Sequence, residues 1–335
     1  MYASTFRRRV APAIALSAGL AACAGQPAGG PGFTPQAFDR VWASADARPA
    51  STSQLHVFAA NRNFSSILGF KLGATGDVKP AINIHGSRTK IAFPYSLAVD
   101  AAGNLYTAND GGTKVEVFAP TANGNARPKR TIGGSRSQLG PTEGLMVDSA
   151  GDLWASDLNG NAVTEYAPAA HGNVKPIDKI NGSNTQLYAP AGMAMSSNGH
   201  LYVANSSAGT IAIFAAGARG NVAPAATIGG GSTDLSAPFA LAFDSNGRLL
   251  VADEYAGILI FAKGATGDVA PVARITTLYR PGGVVADAQN NIWASDLTGM
   301  SIDEFASNAN GNATPLAEIV GTKTQLDGPN YLAVF

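Results

Sequence analysis

Three side chains in this sequence are suited to holding a divalent metal ion: Glu143, Asp253 and Asn330. Carboxylate and amide oxygens are the ligands that hard divalent cations prefer in proteins. Asp253 also belongs to a series in which each of six similar segments carries Asn or Asp at one position: Asn61, Asn109, Asp157, Asn205, Asp253 and Asp296. A short polar side chain that recurs in this way is typical of a turn former that bonds its own loop. The sequence therefore leaves two interpretations: a metal site, or a set of turn-forming residues with a structural role.

A second group of residues surrounds two shortened loops. The segment "ITTLYRP" (275–281) replaces longer segments such as "INGSNTQLYAP" (180–190), and "DEYAG" (253–257) is one residue shorter than its counterparts. The residues bordering these deletions are Asp253, Glu254, Tyr255, Tyr279 and Arg280. Acids, tyrosines and an arginine suit a polar or sugar-like ligand, or a peptide. Loops also tolerate deletion without a functional reason, in which case Arg280 would only pair with Glu254.

Histidine and nucleophile chemistry finds no support in the sequence. His56 is predicted to lie in one strand and His85 at the end of another, whereas His171 and His200 are predicted to lie in loops on the face opposite the candidate ligand site. Three of the four histidines therefore cannot meet at one zinc ion. The sequence also has no nucleophile elbow and no Gly-rich phosphate loop that opens a helix.

An internal repeat supplies the elements that position these residues. The loop "GATGDVKP" (73–80) returns as "GATGDVAP" (264–271), and four related copies begin at residues 121, 169, 217 and 308. Each copy follows a short apolar run that ends in an aromatic residue: Phe70, Phe118, Tyr166, Phe214, Phe261 and Phe305. The spacings of 48, 48, 48, 47 and 44 residues, and the alternation within each run, indicate β-strands rather than helical repeats.

Each repeat is predicted to form four antiparallel strands. In the unit 192–228 the strands are "GMAMS", "LYVAN", "TIAIF" and "PAATI", and Gly-containing turns such as "SSNGH" join them. The C-terminal "PNYLAVF" matches a first strand and "QLHVFAAN" (54–61) a second strand, so the two ends should complete one blade. Residues 51–335 are therefore predicted to form an all-β, six-bladed β-propeller closed by the C-terminal strand. The loops after the second and fourth strands share one face, here called the site face, where ligands of propellers usually bind.

The repeat units resemble NHL repeats, which occur in six-bladed propellers. The resemblance rests on "PAGMAMSSNGHLYVANSSAGTIAIF" (190–214) and "PFALAFDSNGRLLVADEYAGILIF" (238–261). It implies the fold more than the function, because NHL-like propellers include binding modules, lyases and relatives of lactonases. Glu143, Asp253 and Asn330 loosely resemble the Glu, Asn and Asp metal ligands of the senescence-marker and gluconolactonase group, although here the Asn follows the Asp in the chain.

Composition limits the expected partners. The 335-residue chain has 23 Lys and Arg against 23 Asp and Glu, which gives a net charge of zero, and only 14% of its residues are charged. The sequence shows no basic stripe to neutralise phosphates, so nucleic acid is not an expected partner. One ring of repeats accounts for nearly the whole chain, and a monomer is expected.

The N-terminal residues have the pattern of an exported lipoprotein. "FRRRV" is followed by the apolar run 10–22, which has the form of a secretory signal and is too short to span a bilayer comfortably. "LAAC" (20–23) resembles the lipobox of bacterial lipoproteins, which implies removal of residues 1–22 and lipidation of Cys23, the only cysteine. Residues 23–50 are rich in Pro, Gly and Ala and are predicted to form a flexible tether. Ordinary signal cleavage with a soluble periplasmic product is the alternative.

Two functions of different classes follow from the sequence. The first is a non-enzymatic, lipid-anchored binding or protein-interaction scaffold of the bacterial cell envelope, held at the outer membrane facing the periplasm, with no cofactor. The second is a metal-dependent hydrolase or lactonase of the gluconolactonase type, which would need a divalent metal. The first is favoured because the starts of the first strands carry neutral or apolar residues: Ser96, Gly144, Gly192, Ala240, Gly283 and Tyr331.

Overall fold

The computed structural model describes residues 55–335, which form six four-stranded antiparallel sheets. The predicted signal segment (1–22) lies outside the described residues, and so does the predicted tether (23–50) with Cys23. Helical structure in the described range is limited to two single 3-10 turns, Ser206–Ala208 and Thr322–Thr324. Between residues 55 and 335 no helix has the length and hydropathy required to span a bilayer.

The strands are numbered in chain order and grouped by blade, from the innermost strand to the outermost. Blade one contains β24 (Pro329–Val334), β1 (His56–Asn61), β2 (Ser66–Lys71) and β3 (Ile82–Ile84). Blade two contains β4 (Pro94–Val99), β5 (Leu105–Asn109), β6 (Lys114–Phe118) and β7 (Arg130–Gly133). Blade three contains β8 (Thr142–Val147), β9 (Leu153–Asp157), β10 (Ala162–Tyr166) and β11 (Asp178–Asn181). Blade four contains β12 (Pro190–Met195), β13 (Leu201–Asn205), β14 (Thr210–Phe214) and β15 (Ala226–Ile228). Blade five contains β16 (Pro238–Phe243), β17 (Leu249–Asp253), β18 (Gly257–Phe261) and β19 (Ala273–Ile275). Blade six contains β20 (Pro281–Ala286), β21 (Ile292–Asp296), β22 (Ser301–Phe305) and β23 (Ala317–Ile319).

The predicted ring closure is confirmed. Strand β24 pairs antiparallel with β1, so that Val334 lies opposite Val57 and Ala333 lies opposite Phe58. Beyond the strands, the backbone amide of His56 donates to the carbonyl of Phe335 at 2.8 Å, and the amide of Phe335 donates back at 3.1 Å. The two ends of the described chain therefore meet in one blade, which gives the six-bladed propeller predicted from the repeat.

The core lies between neighbouring blades. The aromatic residue that ends each third strand is almost completely buried in all six blades, and the set is Phe70, Phe118, Tyr166, Phe214, Phe261 and Phe305. Complete burial of one large apolar side chain contributes roughly 1.5–3 kcal/mol. The recurring aromatic therefore marks the packing position that every pair of blades shares.

The repeated loop joins the third and fourth strands of each blade, as predicted, and it also reaches the preceding blade. In blade two, the amide of Gly124 donates to the carbonyl of Asn83 at 2.8 Å, and its carbonyl accepts from the amide of His85 at 3.0 Å. The same parallel bridge occurs at all six junctions, where Gly76, Gly124, Gly172, Gly220, Gly267 and Gly311 meet the outer strand of the preceding blade. Each outer strand is thereby bonded to a loop of its neighbour.

The residue after this glycine makes a second contact between blades, which we call the latch. Asn125 Oδ1 accepts a 2.8 Å hydrogen bond from the backbone amide of Arg88, in the loop that leaves blade one. Equivalent bonds of 2.6–2.8 Å occur at four other junctions: Asn173 to Arg136, Asn221 to Asn184, Asp268 to Ser232 and Asp77 to Lys323. Each latch packs against a glycine; at Gly86 the φ is +106° and an added Cβ would lie 2.8 Å from Asn125 Oδ1. The near-verbatim repetition of the loop thus reflects its contacts between blades as well as its turn.

Candidate functional site

The Asn and Asp residues that end the second strands hold the loops of the site face. In blade two, Asn109 accepts from the amide of Ala92 and donates to the carbonyl of Lys90, both at 2.9 Å. In blade five, the carboxylate of Asp253 is fully buried and accepts hydrogen bonds of 2.8–3.2 Å from four backbone amides, those of Ser236, Ala237, Tyr255 and Ala256. Asp253 therefore stabilises the loops of blade five, and both of its carboxylate oxygens are bonded to backbone amides.

The other four residues predicted around the shortened loops come together at the edge of blade five. Arg280 Nη2 lies 2.5 Å from Glu254 Oε1, so these two side chains form an ion pair. The side chains of Tyr255 and Tyr279 are 73% and 82% exposed, the latter being the more exposed of the two. The structure thus contains both features weighed from the sequence: the Arg280–Glu254 pair and two freely accessible aromatic rings beside it.

Three aromatic side chains from the inner strands cross the propeller axis at the site face. The ring centroid of Tyr95 lies 5.5 Å from that of Phe239, and the centroid of Tyr331 lies 5.2 Å from that of Phe239. Tyr95 belongs to blade two and Phe239 to blade five, which are opposite blades in a ring of six. The hydroxyl of Tyr331 also donates to the carbonyl of Phe239 at 2.8 Å. These rings lie at the site-face end of the central axis, which is the place where propellers commonly bind ligands.

A charged group that sequence reasoning only partly identified lies beside these rings. We call it the Glu143 cluster; its members are Arg62, Tyr95, Asp110 and Glu143. Arg62 forms an ion pair with Asp110, and its guanidinium carbon lies 5.7 Å from the centroid of the Tyr95 ring. Because these residues come from blades one, two and three, their proximity could not be read from local sequence.

Glu143 has the environment of a proton-exchanging carboxylate. Burial, and then the negative charge of Asp110, raises its pKa to about 7, while Arg62 acts in the opposite direction. Burial, together with the charge of Glu143, also raises the pKa of the Tyr95 hydroxyl far above its usual range. A carboxylate with a pKa near 7 can accept or donate a proton at neutral pH. Glu143 is therefore the strongest candidate for acid–base chemistry on the site face.

The proposed metal-ligand set is only partly assembled. Asn330 is buried, and its Oδ1 has no hydrogen-bond partner, which leaves a free amide oxygen. Glu143 is half-buried and carries a carboxylate, but the oxygens of Asp253 are bonded to backbone amides. The residues present therefore do not fit a three-ligand site made of Glu143, Asp253 and Asn330.

Another acidic group lies on the opposite face, at the turn between the first two strands of blade three. Within residues 55–335, the acidic groups close enough to share one cation are Asp148, Asp152 and Glu165. In blade six the equivalent of Asp152 is Asn291, whose Nδ2 donates to Glu304 at 2.7 Å. In blade three that amide is replaced by a carboxylate. Burial and the charges of Asp152 and Asp148 raise the pKa of Glu165 to about 7.

Exposed apolar side chains are distributed unequally between the two faces. The loops of the site face carry the exposed aromatic residues and one methionine: Phe64, Phe93, Tyr188, Tyr255, Tyr279 and Met300. The exposed large apolar residues near the opposite face are aliphatic and directly precede outer strands: Ile177, Val272 and Leu316. In the described part of the chain, the largely exposed aromatic side chains thus all lie on the site face, while Phe243 and Phe335 near the opposite face are only partly exposed.

Comparisons with known proteins bear on the fold. No protein-family model matches the chain, and no curated protein matches it. Among solved structures, the chain is similar to a protein of unknown function from Bacteroides caccae, at 12% identity over 84% of this chain and 99% of that chain, with a TM-score of 0.58. It is similar to a chain of a nidogen/laminin complex, at 14% identity over 84% and 98% of the two chains with a TM-score of 0.60, and to a streptogramin B lyase, at 14% identity over 82% of each with a TM-score of 0.54. The chain is a six-bladed β-propeller, and at these identities the likeness extends to the fold alone.

Proposed function

We propose that this chain is a lipid-anchored, NHL-like propeller of the bacterial cell envelope that binds a protein partner through its site face. The observation that carries the proposal is the confinement of the largely exposed aromatic side chains to that face. Aromatic residues, methionine and arginine are enriched in protein–protein interfaces relative to the remaining surface. Tyr255 and Tyr279 offer large rings with a polar tip, and such residues commonly dominate binding energy.

The centre of the site face supports a binding surface rather than a deep ligand funnel. Tyr95, Phe239 and Tyr331 fill the mouth of the axis, so a partner would meet a broad surface there. Two ion pairs border this aromatic centre, Arg62–Asp110 on one side and Arg280–Glu254 at blade five. An apolar centre with charged groups at its rim is the common organisation of specific protein interfaces. The fold neighbour from the nidogen/laminin complex is in keeping with an interaction role.

Site-specific cross-linking in the source organism tests the proposal. A photoreactive amino acid at Tyr279 should give a discrete cross-linked product, because this side chain is 82% exposed on the site face. The same amino acid at Leu316, which is 60% exposed near the opposite face, is the matched control. The proposal requires a product at 279 that is missing at 316. Identical products at both positions, or none at either, would contradict it.

The lipid anchor is a separate part of the proposal. The described chain begins at Leu55, next to β1, on the face opposite the site face. The attachment point of the predicted flexible tether thus lies away from the site face. Labelled palmitate should be incorporated into the protein, and Cys23→Ala should abolish both the label and membrane association. Membrane association that persists without label in the wild type would refute the anchor.

A metal-dependent hydrolase is the second candidate, and its metal would have to be held by Glu143 and Asn330 without Asp253, whose oxygens are bonded to backbone amides. Glu143 has a pKa of about 7, and Asn330 presents a buried amide oxygen without a partner. Elemental analysis of the purified protein separates the two functions. A stoichiometric divalent metal that is lost in Glu143→Gln would favour the hydrolase, whereas metal-free protein with an intact cross-linking pattern would favour the binding scaffold.

A further inference from the structure

A cleft lies between the loop that leaves blade one and the repeated loop of blade two. It has a volume of about 370 Å³ and is lined by Ser87, Arg88, Lys90, Arg127 and Pro128. The latch between Asn125 and the amide of Arg88 fixes the two walls relative to each other. Two separate blades thus contribute charged side chains to one concavity.

The cleft is strongly basic. Arg88, Lys90 and Arg127 are all exposed, and no acidic residue lines the cleft. In the described part of the chain, none of these three cations belongs to an ion pair. Three like charges are therefore held together without counter-charges, which is unfavourable unless an anion is bound.

The repeat provides an internal comparison for this charge. At the junction of blades three and four, the positions of Arg88, Lys90 and Arg127 are occupied by Asn184, Gln186 and Ala223. The backbone is equivalent, because Lys90 and Gln186 both have a positive φ (62° and 55°) and both junctions have the latch. The three cations are thus a property of one junction and are not needed to build it.

Basic residues also occur at equivalent positions of the two neighbouring junctions, although Lys323 is paired there with Asp77. Arg136 and Lys175 occupy two of the equivalent positions between blades two and three, and Lys323 and Lys79 occupy them between blades six and one. The junction between blades four and five instead has Asp234 at the position of Lys90. The net charge of zero calculated from the whole sequence conceals this separation of charge around the ring.

We propose that the cleft between blades one and two binds a phosphate-bearing group. Two guanidinium groups can each donate two parallel hydrogen bonds to phosphate oxygens, and a lysine adds a point charge. The volume lies at the lower end of the range for small-ligand pockets, so it suits a small phosphorylated molecule or a single headgroup. The group could belong to a free phosphorylated compound or to a phospholipid, since the chemistry recognised is the same.

The repeat supplies variants that should leave the backbone intact. The triple variant Arg88→Asn, Lys90→Gln and Arg127→Ala converts the basic junction into the residues of the neutral one. The reverse variant, Asn184→Arg, Gln186→Lys and Ala223→Arg, introduces the cations at the junction of blades three and four. Both changes would be made in the full chain carrying Cys23→Ala, so that lipidation does not contribute to vesicle binding. Circular dichroism and thermal melting verify the fold of each variant.

Calorimetry with inorganic pyrophosphate and flotation with vesicles provide the readouts. Loss of one charge-assisted contact corresponds to roughly a tenfold change in affinity, so the triple variant should lose at least that much for pyrophosphate. The reverse variant should gain a second binding site. Binding to phosphatidylglycerol vesicles but not to pyrophosphate, abolished by the triple variant, would identify a lipid headgroup as the source of the phosphate. Equal binding by the parent and the triple variant, or no binding to either probe, would overturn the proposal.

Discussion

The junction between blades five and six differs from the other five junctions of the ring. At those five, an Asn or Asp side chain reaches across and accepts a backbone amide of the preceding blade's exit loop. At blades five and six the exit loop is cut to residues 276–280, and in residues 55–335 no hydrogen bond joins the side chain of Asn312 to that loop. The parallel bridge between Gly311 and Ile275 is kept, and Thr277 adds a 2.6 Å bond to the carbonyl of Ala313.

This difference separates two tasks of the repeated loop. The glycine bridge is present at all six junctions, so it belongs to the basic construction of the ring. The latch is present only where the exit loop is long enough to supply an amide, so the latch is what constrains the length of that loop. Blade five lacks this constraint, and Tyr255 and Tyr279, the two most exposed tyrosines within residues 55–335, lie in its loops. The shortened loops of the site face thus lie at the junction that has no latch.

The largest expected loss of stability comes from opening the ring, because both the latched junctions and the unlatched junction depend on a closed ring. Deletion of residues 330–335 removes most of β24 and its pairing with β1. The loss should amount to several kcal/mol, a large share of the roughly 5–15 kcal/mol net stability of typical proteins. Denaturant unfolding with two spectroscopic probes would measure it. A truncated chain with the wild-type midpoint would show that closure contributes little.

An intermediate effect should distinguish a latched junction from the unlatched one. Asn173→Ala removes the acceptor of the 2.7 Å bond from the amide of Arg136, and should cost about 0.5–1.5 kcal/mol. Asn312→Ala is the matched control, because Asn312 occupies the equivalent position without that bond, and it should change stability by less than about 0.5 kcal/mol. Chemical unfolding of the two variants side by side gives the comparison. Equal losses would mean that the latch is not what stabilises the junction.

The smallest effect depends on pH and concerns Glu143, which lies on the site face of latched blade three. The folded-state pKa of Glu143 is raised from 4.5 to about 7. The folded protein therefore holds more protons than the unfolded chain between these values, and this group lowers stability as pH rises through that interval. Glu143→Gln should raise the Tm by roughly 1–2 °C at pH 8 and by less at pH 5. A difference in Tm that does not change with pH would contradict the assignment.

The fold was predictable from sequence because each of its signals is local. Gly in "SSNGH", alternation in "TIAIF" and the aromatic residue after each third strand repeat often enough to fix the strands and the blade count. Contacts between blades were not predictable, since they depend on how repeats stack. Asn125 is part of the repeated loop in the sequence, but only the structure shows that its side chain bonds the neighbouring blade. Tyr95 meets Phe239 only because blades two and five face each other across the axis. Likewise, the sequence identified Glu143 as a candidate from its residue type, but it could not show that Glu143 lies close to Asp110 and Arg62.

The glycine bridges also restrict how this molecule can recognise another chain. Many proteins bind extended peptides by adding them as a further strand at an open sheet edge. Here each of the six outer strands within residues 55–335 is only three or four residues long, and a loop of the next blade already bonds to its outer edge. A peptide could extend the sheet only after displacing that loop. Partners of this propeller should therefore be selected by side chains, through shape and charge, rather than by backbone pairing.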